Sequence, residues 1–537
     1  MSINVVDKVV GYFSPAVALR RMHDRRAYDY ANRNQEEIKR AYEAARVDRL
    51  NKSWRTSNQS ADLELQDDAD TIRARARDLV RNNAYAKGII RAKVRNIVGP
   101  GIKPQSRVSL PSGEPNEVFN EQIELLWDRF QRGIDVAGRQ SFYEMQQLII
   151  SEVVEAGEIL VQMVEVNDPM RPVPFALELI DIDRLASDEL YGNQSNGNEI
   201  RRGIEIDPNG KAVAYWLYPY HPNDLNTNRG EPVRHPAENF IHLFKPERVG
   251  QTRGVSDFAP VVRWLKNLDR YMDNELTSST IASCFSVAIK TISAGGDGVL
   301  SGDSADDGED KNGNQFEYLE PGIVARLFPD EDIEVIDPSR NQSEAIPWLN
   351  LMQRAMGVGT GLSYERLTRD YSQTNYSSNR ASDLEDRREF RMDQQWLIRQ
   401  LCIPVWERFV SLAVASGLPG MPGAFDFIGN FHEWTSHEWQ PPGWEWVDPL
   451  KEVKATVMAV ENNLSSLAKE TLKRDGSDWR SNLKQRGIEN KEVTDAGLGD
   501  PEPEANTTEQ SENTRQLESL TKLVNELEDR LLLTEGD

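Results

Sequence analysis

The stretch TRDYSQTNYSSNRASDLE, Thr368–Glu385, contains no apolar run. It offers hydroxyls, amides, two tyrosines and two arginines, then enters a pattern that reads as a long helix from about Ala381 to Ala415. A loop this polar at the head of a long helix is not built for burial, so its reason must lie in what it faces. Upstream, Ala345–Met356 reads as a short helix. Before that, residues 297–337 carry 13 acidic and 2 basic side chains. Within them the Gly/Asp/Ser-rich run from Gly295 to Asn314 reads as an exposed loop, with short strands expected near Phe316–Leu319 and Ile333–Ile336. Ser256 is placed to cap a long helical stretch, Asp257–Thr291, unusual in length for a globular helix.

The bulk numbers agree with a large polar surface. The chain has 537 residues, of which 38% are apolar, and a mean hydropathy of −0.61. That length suggests roughly two to four domains. Net charge is −24, unevenly spread: residues 1–100 hold 20 Lys+Arg against 13 Asp+Glu, and the rest 43 against 74. Such asymmetry points to different partners for the two ends, and the acidic total argues against non-specific adhesion to nucleic acid. Two cysteines, Cys284 and Cys402, with no CxxC spacing, fit a reducing compartment. The first residues lack the apolar segment of a signal peptide, and no window reaches the length of a membrane span.

The first half reads as α+β. Residues 1–55 are an Arg- and Tyr-rich arm, either disordered or carrying short exposed helices. Asp70–Val98 reads as one helix, with Leu79, Val80, Ile89, Ile90, Val94, Ile97 and Val98 at three-to-four spacing and Gly99-Pro100-Gly101 as its stop. Its basic face is open to two readings, nucleic-acid binding or a solvated or interface face. Helices are expected at Phe119–Arg132 and Phe142–Glu155. Strands are expected at Glu158–Val166, Ala176–Leu185, Ile204–Asp207, Ala212–Pro219 and Phe240–Phe244, with a hairpin turn at Asp207. After the long helix comes an aromatic segment, then helices to about Gly487. The acidic run 495–513 reads as a disordered linker. Beyond it Leu517, Leu520, Val524, Leu527 and Leu531 repeat at spacings of 3 and 4, an a/d seam that suggests oligomerisation.

The motifs that carry chemistry are missing. His432 and His437 in HEWTSH are one residue too far apart for a zinc-protease helix, and His242 sits in a strand-like run. His23, His221 and His235 complete the histidines. There is no P-loop; GVGTG at Gly357 follows a helix instead of a strand; DDGEDKNGNQFE places Gln315 where a calcium loop needs glycine. No nucleophile elbow appears, and neither cysteine has a catalytic setting. No catalytic residue, metal or cofactor is expected.

Four blocks give a positive signal: RDLVRNNAYAKGIIRAKVRNIVGPGIKP, HLFKPERVGQTRGVSDFAPVVRWLKNLDRYMDNEL, TRDYSQTNYSSNRASDLEDRREF and WQPPGWEWVDPLKE. In this order, over about Arg20 to Lys491, they resemble the signature blocks of lambda-type portal proteins of tailed bacteriophages, the head-tail connectors of the capsid. The family's Tyr-Ser-Ser-x-Arg block stands as Tyr376, Ser377, Ser378 and Arg380; its Gly-Gln-x-Arg-Gly block as Gly250, Gln251, Arg253 and Gly254. The resemblance implies a ring of about twelve subunits at one capsid vertex, with an α/β wing, a helical stem, a small α/β clip and a helical crown. Double-stranded DNA would pass through without sequence specificity, driven by a separate terminase.

On that resemblance the chain divides as follows: basic arm 1–55, wing 56–255, first stem helix 256–291, clip 292–342, second stem helix 343–357, tunnel loop 358–380, long helix and return to the wing 381–450, crown 451–494, linker 495–513 and terminal amphipathic helix 514–537. The tunnel-loop residues are Arg366, Thr368, Arg369, Tyr371, Gln373, Asn375, Tyr376, Ser377, Ser378 and Arg380. A loop facing moving DNA should be polar, and scattered cations hold phosphate less than a lysine-rich run would. Arg366, Arg369 and Arg380 either touch DNA or pair with a neighbour's carboxylate. Interface candidates are Arg253, Trp264, Arg270, Trp434, Trp439, Trp444, Trp446 and the Leu517–Leu531 seam; the tryptophans equally fit a plain core cluster. Expected partners are the chain itself, the terminase large subunit, head-tail adaptors, and the major capsid and scaffolding proteins, in the virion and, during assembly, the host cytoplasm; no membrane partner is expected. The alternatives are a nucleic-acid-processing enzyme of the packaging machinery, or a capsid or scaffolding protein.

Overall fold

The computed structural model describes residues 58–291 and 345–496, except for short gaps at 188–191, 195, 226–229, 284–286, 445–448 and 476–478, with a few strand segments inside 308–335 and isolated positions before residue 58. The basic arm 1–55, most of the acidic loop 297–314, Trp446, the 495–513 linker beyond Ala496, and the Leu517–Leu531 seam lie outside the described residues.

A short helix α1 (Ala61–Leu65) leads into α2 (Ala69–Asn82) and α3 (Ala84–Ile97). The single helix expected over Asp70–Val98 is thus two. Asn83 adopts an extended conformation (φ −107°, ψ 126°), and its side chain caps α3 by accepting from the Ala86 N–H at 2.8 Å. Its amide also donates to Asp269 at 2.6 Å, which pins the break. Asn is among the best N-caps, and here capping outweighs a continuous apolar stripe.

Strand β1 (Lys103–Ser106), helix α4 (Glu117–Gln131) and helix α5 (Phe142–Ala156) follow. Ser141 and Glu144 close a capping box on α5, and Gly157 at φ 92° ends it. Any side chain at Gly157 would strike the Val255 backbone at 2.4 Å. Then come β2 (Glu158–Glu165), β3 (Phe175–Ile180), β4 (Gly192–Asn193), β5 (Glu199–Arg201), β6 (Ile204–Ile206), β7 (Ala212–Leu217), β8 (Val233–Pro236) and β9 (Phe240–Phe244). They form two antiparallel sheets, β3-β2-β9 and the meander β4-β5-β6-β7-β8. The hairpin expected at Asp207 joins β6 to β7 across a register shift at Glu205/Ile206.

β2 is the shared wall of two cores. Ile159 and Val161 face the main core, while Leu160 faces a second one with Ile180, Ile204, Tyr215 and Leu217. Burial on both faces explains why its first half reads as an apolar run instead of alternating. The main core centres on Trp127, whose ring meets Phe142 at 5.3 Å, Trp406 at 5.5 Å and Phe409 at 5.0 Å, all edge to face.

Helix α6 (Val262–Ser283) starts after a turn at 257–261 and ends before β10 (Val287–Thr291), so the helix expected over Asp257–Thr291 is shorter at both ends. The β-branched run Val287–Thr291 pairs instead with β13 (Glu331–Val335), and β11 (Gly308–Glu309) pairs with β12 (Gln315–Phe316). Helix α7 (Ala345–Thr360) and the short α8 (Tyr364–Thr368) precede α9 (Tyr376–Leu397). A wide π-turn, Ile398–Cys402, passes without a break into α10 (Ile403–Ala415). Pro404 accounts for the wide turn. It has no N–H for the carbonyl one turn back, and the Ile403 N–H bonds Ile398 O instead. Short helices α11 (Ala424–Gly429) and α12 (Phe431–Trp434) lead to β14 (His437–Gln440), which pairs with β1. Three helices close the described chain: α13 (Pro449–Glu461), α14 (Leu467–Asp475) and α15 (Trp479–Asp495). Helices and strands mix as an α+β fold, and among the described residues no helix is long and apolar enough to cross a membrane.

One carboxyl on α5 sets a pH dependence. Burial, and then the nearby Asp181 and Glu155, push Glu152 up to about 7. A carboxyl raised above its unfolded value favours the fold below the unfolded pKa and loses that contribution as pH rises through the folded one. Glu152→Gln is therefore expected to stabilise the protein by about 1–3 kcal/mol near about pH 8 and to change little near about pH 4. Urea unfolding at the two pH values measures it; equal effects at both would place Glu152 in water.

Candidate functional site

The polar stretch is held at its base and exposed at its tip. Gly359 lets α7 approach the preceding turn, since a Cβ there would meet Val261 at 2.5 Å. Gly361, at φ 68°, turns the chain out of α7, and Ser363 caps α8. Arg366 on α8 is the anchor. Its Nε donates to Asp386 at 2.8 Å, one terminal nitrogen donates to Asn96 at 2.8 Å, the other pairs with Asp383, and the guanidinium lies over the Phe390 ring at 5.3 Å. Asp386, 5% exposed, also accepts from the Ser363 N–H at 3.0 Å and hydroxyl at 2.7 Å. Asp383 and Asp386 lie three apart on α9 and so share a face. Arg366 is thus committed within its own chain, and neither a DNA contact nor a neighbour's carboxylate is needed to satisfy it.

Beyond Leu367 burial stops. Thr368 is half-buried, its hydroxyl donating to Tyr364 O at 2.8 Å. Arg369 is exposed in the left-handed region (φ 58°), where it ends α8. Asp370 accepts from the Ser372 N–H at 3.0 Å, and its bonds from Ser372 hold its carboxyl below the usual range. Tyr371 and Tyr376 are each 55% exposed, and Gln373, Asn375, Ser377 and Ser378 are exposed. The helix starts at Tyr376, earlier than the expected Ala381, because Asn375 and Ser378 form a reciprocal capping box. Tyr376, Ser377, Ser378 and Arg380 therefore sit on the first turns of α9, with Arg380 half-buried and 3.4 Å from the Tyr376 hydroxyl.

The interface candidates divide. Trp264, 42% exposed, and Arg270 stand outward on α6. Trp439 is core, 6% exposed against Trp127 and Trp406. Trp434 is half-buried, edge-on to Phe119 at 5.1 Å and donating to Asp426 at 3.1 Å. Trp444 donates to Asn96 at 3.1 Å and lies under Arg387 and Arg391. Arg253 is no surface residue of this chain: it is fully buried, its Nε bonding Glu158 at 2.9 Å.

Sequence reasoning missed what Arg253 belongs to. Glu158, at the start of β2 and wholly buried, accepts from Arg253, from Arg73 at 3.3 Å, from the Gly254 N–H at 2.8 Å and from His242 at 3.0 Å. Although burial opposes its charge, Arg253 and His242 hold its carboxyl well below the usual range. Gly254 is required there because a Cβ would meet Gly157 O at 2.2 Å. Arg202, buried beside Arg253, is lowered to about 10 by burial and that neighbouring cation. The available signal was the pair Arg253-Gly254, which marks a close backbone approach beside a cation.

Asp181, Asp183 and His221 lie close enough to hold a metal. Their oxygens are already taken by Arg73, at 2.6 Å to Asp183, and by Arg77, at 2.9 Å to Asp181, so the donor set reads as an ion-pair cluster. Cys402 is buried, with its thiol pushed up by burial, which is the opposite of what a nucleophile needs.

The family described as "Phage portal protein, lambda family" matches residues 47–394. The chain is 30% identical over 459 residues to the probable portal protein of Halomonas phage phiHAP-1, covering 83% of this chain and 85% of that one. It is 26% identical over 485 residues to portal protein B of Escherichia phage lambda, covering 84% and 89%. Among solved structures it resembles a chain from the neck of a native gene transfer agent particle computed with C12 symmetry: TM-score 0.40, 16% identity, 75% of this chain and 94% of that chain. At that score the likeness supports no conclusion.

Proposed function

The chain belongs to the lambda family of phage portal proteins and is a portal protein of a tailed bacteriophage; from that premise we propose that it forms a ring of about twelve copies whose bore carries double-stranded DNA past the polar tip at 369–380. The observation that carries this reading is the contrast between base and tip. Arg366 locks the base to Asp383, Asp386 and Asn96, while the tip exposes Arg369, Tyr371, Gln373 and Tyr376. A fixed base with a polar, unburied end suits a surface that brushes a charged rod without gripping it.

On this reading α6 and α7 are the stem helices, residues between them the clip where terminase and adaptors dock, and α13–α15 the crown. The protein acts in the virion, at the capsid vertex, after assembly with capsid and scaffolding proteins in the host cytoplasm. It has no catalytic role; its named relatives are portal proteins. Electron microscopy of the purified protein tests it: rings with a central hole and residues 369–380 at the bore are expected, and a tip on the outer rim ends the reading.

Replacing Arg369 and Arg380 together by alanine is expected to leave ring yield unchanged, because the base keeps the bonds of Arg366 to Asp386, Asp383 and Asn96. The length of DNA packaged or retained should fall, and the salt dependence of DNA retention should drop by about one slope unit per lost contact. Particles with unchanged DNA content and salt response would remove both residues from the bore.

A further inference from the structure

A groove of about 860 Å³ runs between α3 and α5. Lys87, Arg91 and Arg95 line it from α3, each four residues from the next, and Arg139 lines it as well. All four are exposed, and none has an ion pair or a side-chain hydrogen bond among the described residues; Glu155 acts on Lys87 only at longer range. In a chain of net charge −24, a row of unpartnered cations is unusual. The opposite wall is not made for phosphate. It presents Leu148, 37% exposed, and Glu144, whose carboxyl is kept anionic by its bonds from Ser141. Cations on one side with an apolar residue and an anion on the other suit a polypeptide that is acidic but not uniformly charged.

We infer that the groove between α3 and α5 holds the acidic segment 500–512 of this same polypeptide, from its own or an adjacent copy. Spacing supports the assignment. Side chains four apart on a helix stand about 6 Å apart along the axis. Alternate residues of an extended chain stand about 6.6 Å apart on one face. The segment reads DPEPEANTTEQSE, with Asp500, Glu502 and Glu504 at alternate positions. Pro501 and Pro503 force the residues before them, Asp500 and Glu502, toward extended backbone. Three carboxylates can therefore meet Lys87, Arg91 and Arg95 in register, with Glu509 and Glu512 left to reach Arg139. No Lys or Arg interrupts residues 500–512. The segment begins soon after α15, whose Lys484 lies 3.8 Å from Glu117 at the head of α4.

The test uses the full-length protein. Zero-length carbodiimide coupling should join Lys87 to Asp500, Glu502 or Glu504, read by mass spectrometry. Amide exchange across 498–512 should be slow and speed up by about tenfold in the Lys87→Glu, Arg91→Glu, Arg95→Glu triple variant, and likewise in about 1 M salt, where screening reaches about 3 Å. Changing Asp500, Glu502 and Glu504 to Lys in the triple variant should restore protection. The same three changes in the wild-type groove should abolish it, a check that does not depend on how the triple variant folds. The inference is overturned if Lys87 couples only to carboxylates elsewhere, or if exchange is equal in all variants. It also falls if a short DNA duplex binds the wild type and not the triple variant while exchange stays unchanged.

Discussion

Glu158→Ala is expected to destabilise the protein by about 3–5 kcal/mol, the cost of removing one partner from a buried ion pair and leaving the other uncompensated. The residue is wholly buried and is the common acceptor for Arg73, Arg253, His242 and the Gly254 N–H. Arg73 keeps Asp183 at 2.6 Å, but Arg253 would keep only the Ser187 hydroxyl at 2.7 Å and the Arg202 carbonyl at 3.0 Å. Its charge would then stand beside that of Arg202, which keeps only Asp70 at 3.5 Å to oppose it. Glu158→Gln should cost less, since an amide oxygen still accepts from Gly254. The pH dependence has a fixed sign. A carboxyl lowered on folding contributes stability above its unfolded pKa and loses it as pH falls through the folded one. The wild type should therefore lose stability in acid more steeply than Glu158→Gln. Urea unfolding of the three proteins across acid and neutral pH measures both points. A loss under about 1 kcal/mol for the alanine variant would mean that water reaches the cluster.

The second large effect is local. Arg366→Ala removes three charged or polar partners and a ring contact at once. Asp386 retains Ser363 and Asp383 retains Arg387 at 2.6 Å, so the expected cost, about 2–4 kcal/mol, is below that of stripping an acceptor bare. Most of it should appear as faster amide exchange at 363–386, with the main core unchanged. Arg366→Lys should recover little, because a point charge cannot serve Asp386, Asp383 and Asn96 together. On the proposed function such rings still assemble but package less DNA. Exchange at 363–386 equal to wild type would show that the loop base is held by something other than this arginine.

Much of the architecture was legible because local chemistry and burial agreed. Five of the strands between Glu158 and Phe244 and the helices at 117–131 and 142–156 fall about where periodicity puts them, whereas the short strands β4, β5 and β8 were not expected and β3 stops at Ile180. Boundaries failed where a single side chain outvoted the pattern. Asn83 broke one helix by capping the next, Asn375 with Ser378 began another early, and β-branched residues after Ser283 found a strand partner about forty residues downstream, at Glu331–Val335. Long-range pairing of that kind leaves no local trace. The site was half legible. The exposed tip declared itself by polarity, but Arg253 looked like an interface residue, and the anchoring of Arg366 stayed hidden, because composition does not reveal which cation has a carboxylate waiting in the interior. Asp383 and Asp386, three apart opposite an arginine, were the clue available for the last of these.

Residues 376–415 form one uninterrupted rod from the exposed tip to the tryptophan-rich interior, with the π-turn at Ile398–Cys402 as its one irregular joint. A rod of this kind is stiff along its axis, and α9 alone extends about 33 Å at the usual helical rise. Load applied at the tip is therefore delivered to the heart of the subunit instead of being absorbed as slack. Any give in the lever is concentrated at the widened turn that Pro404 imposes.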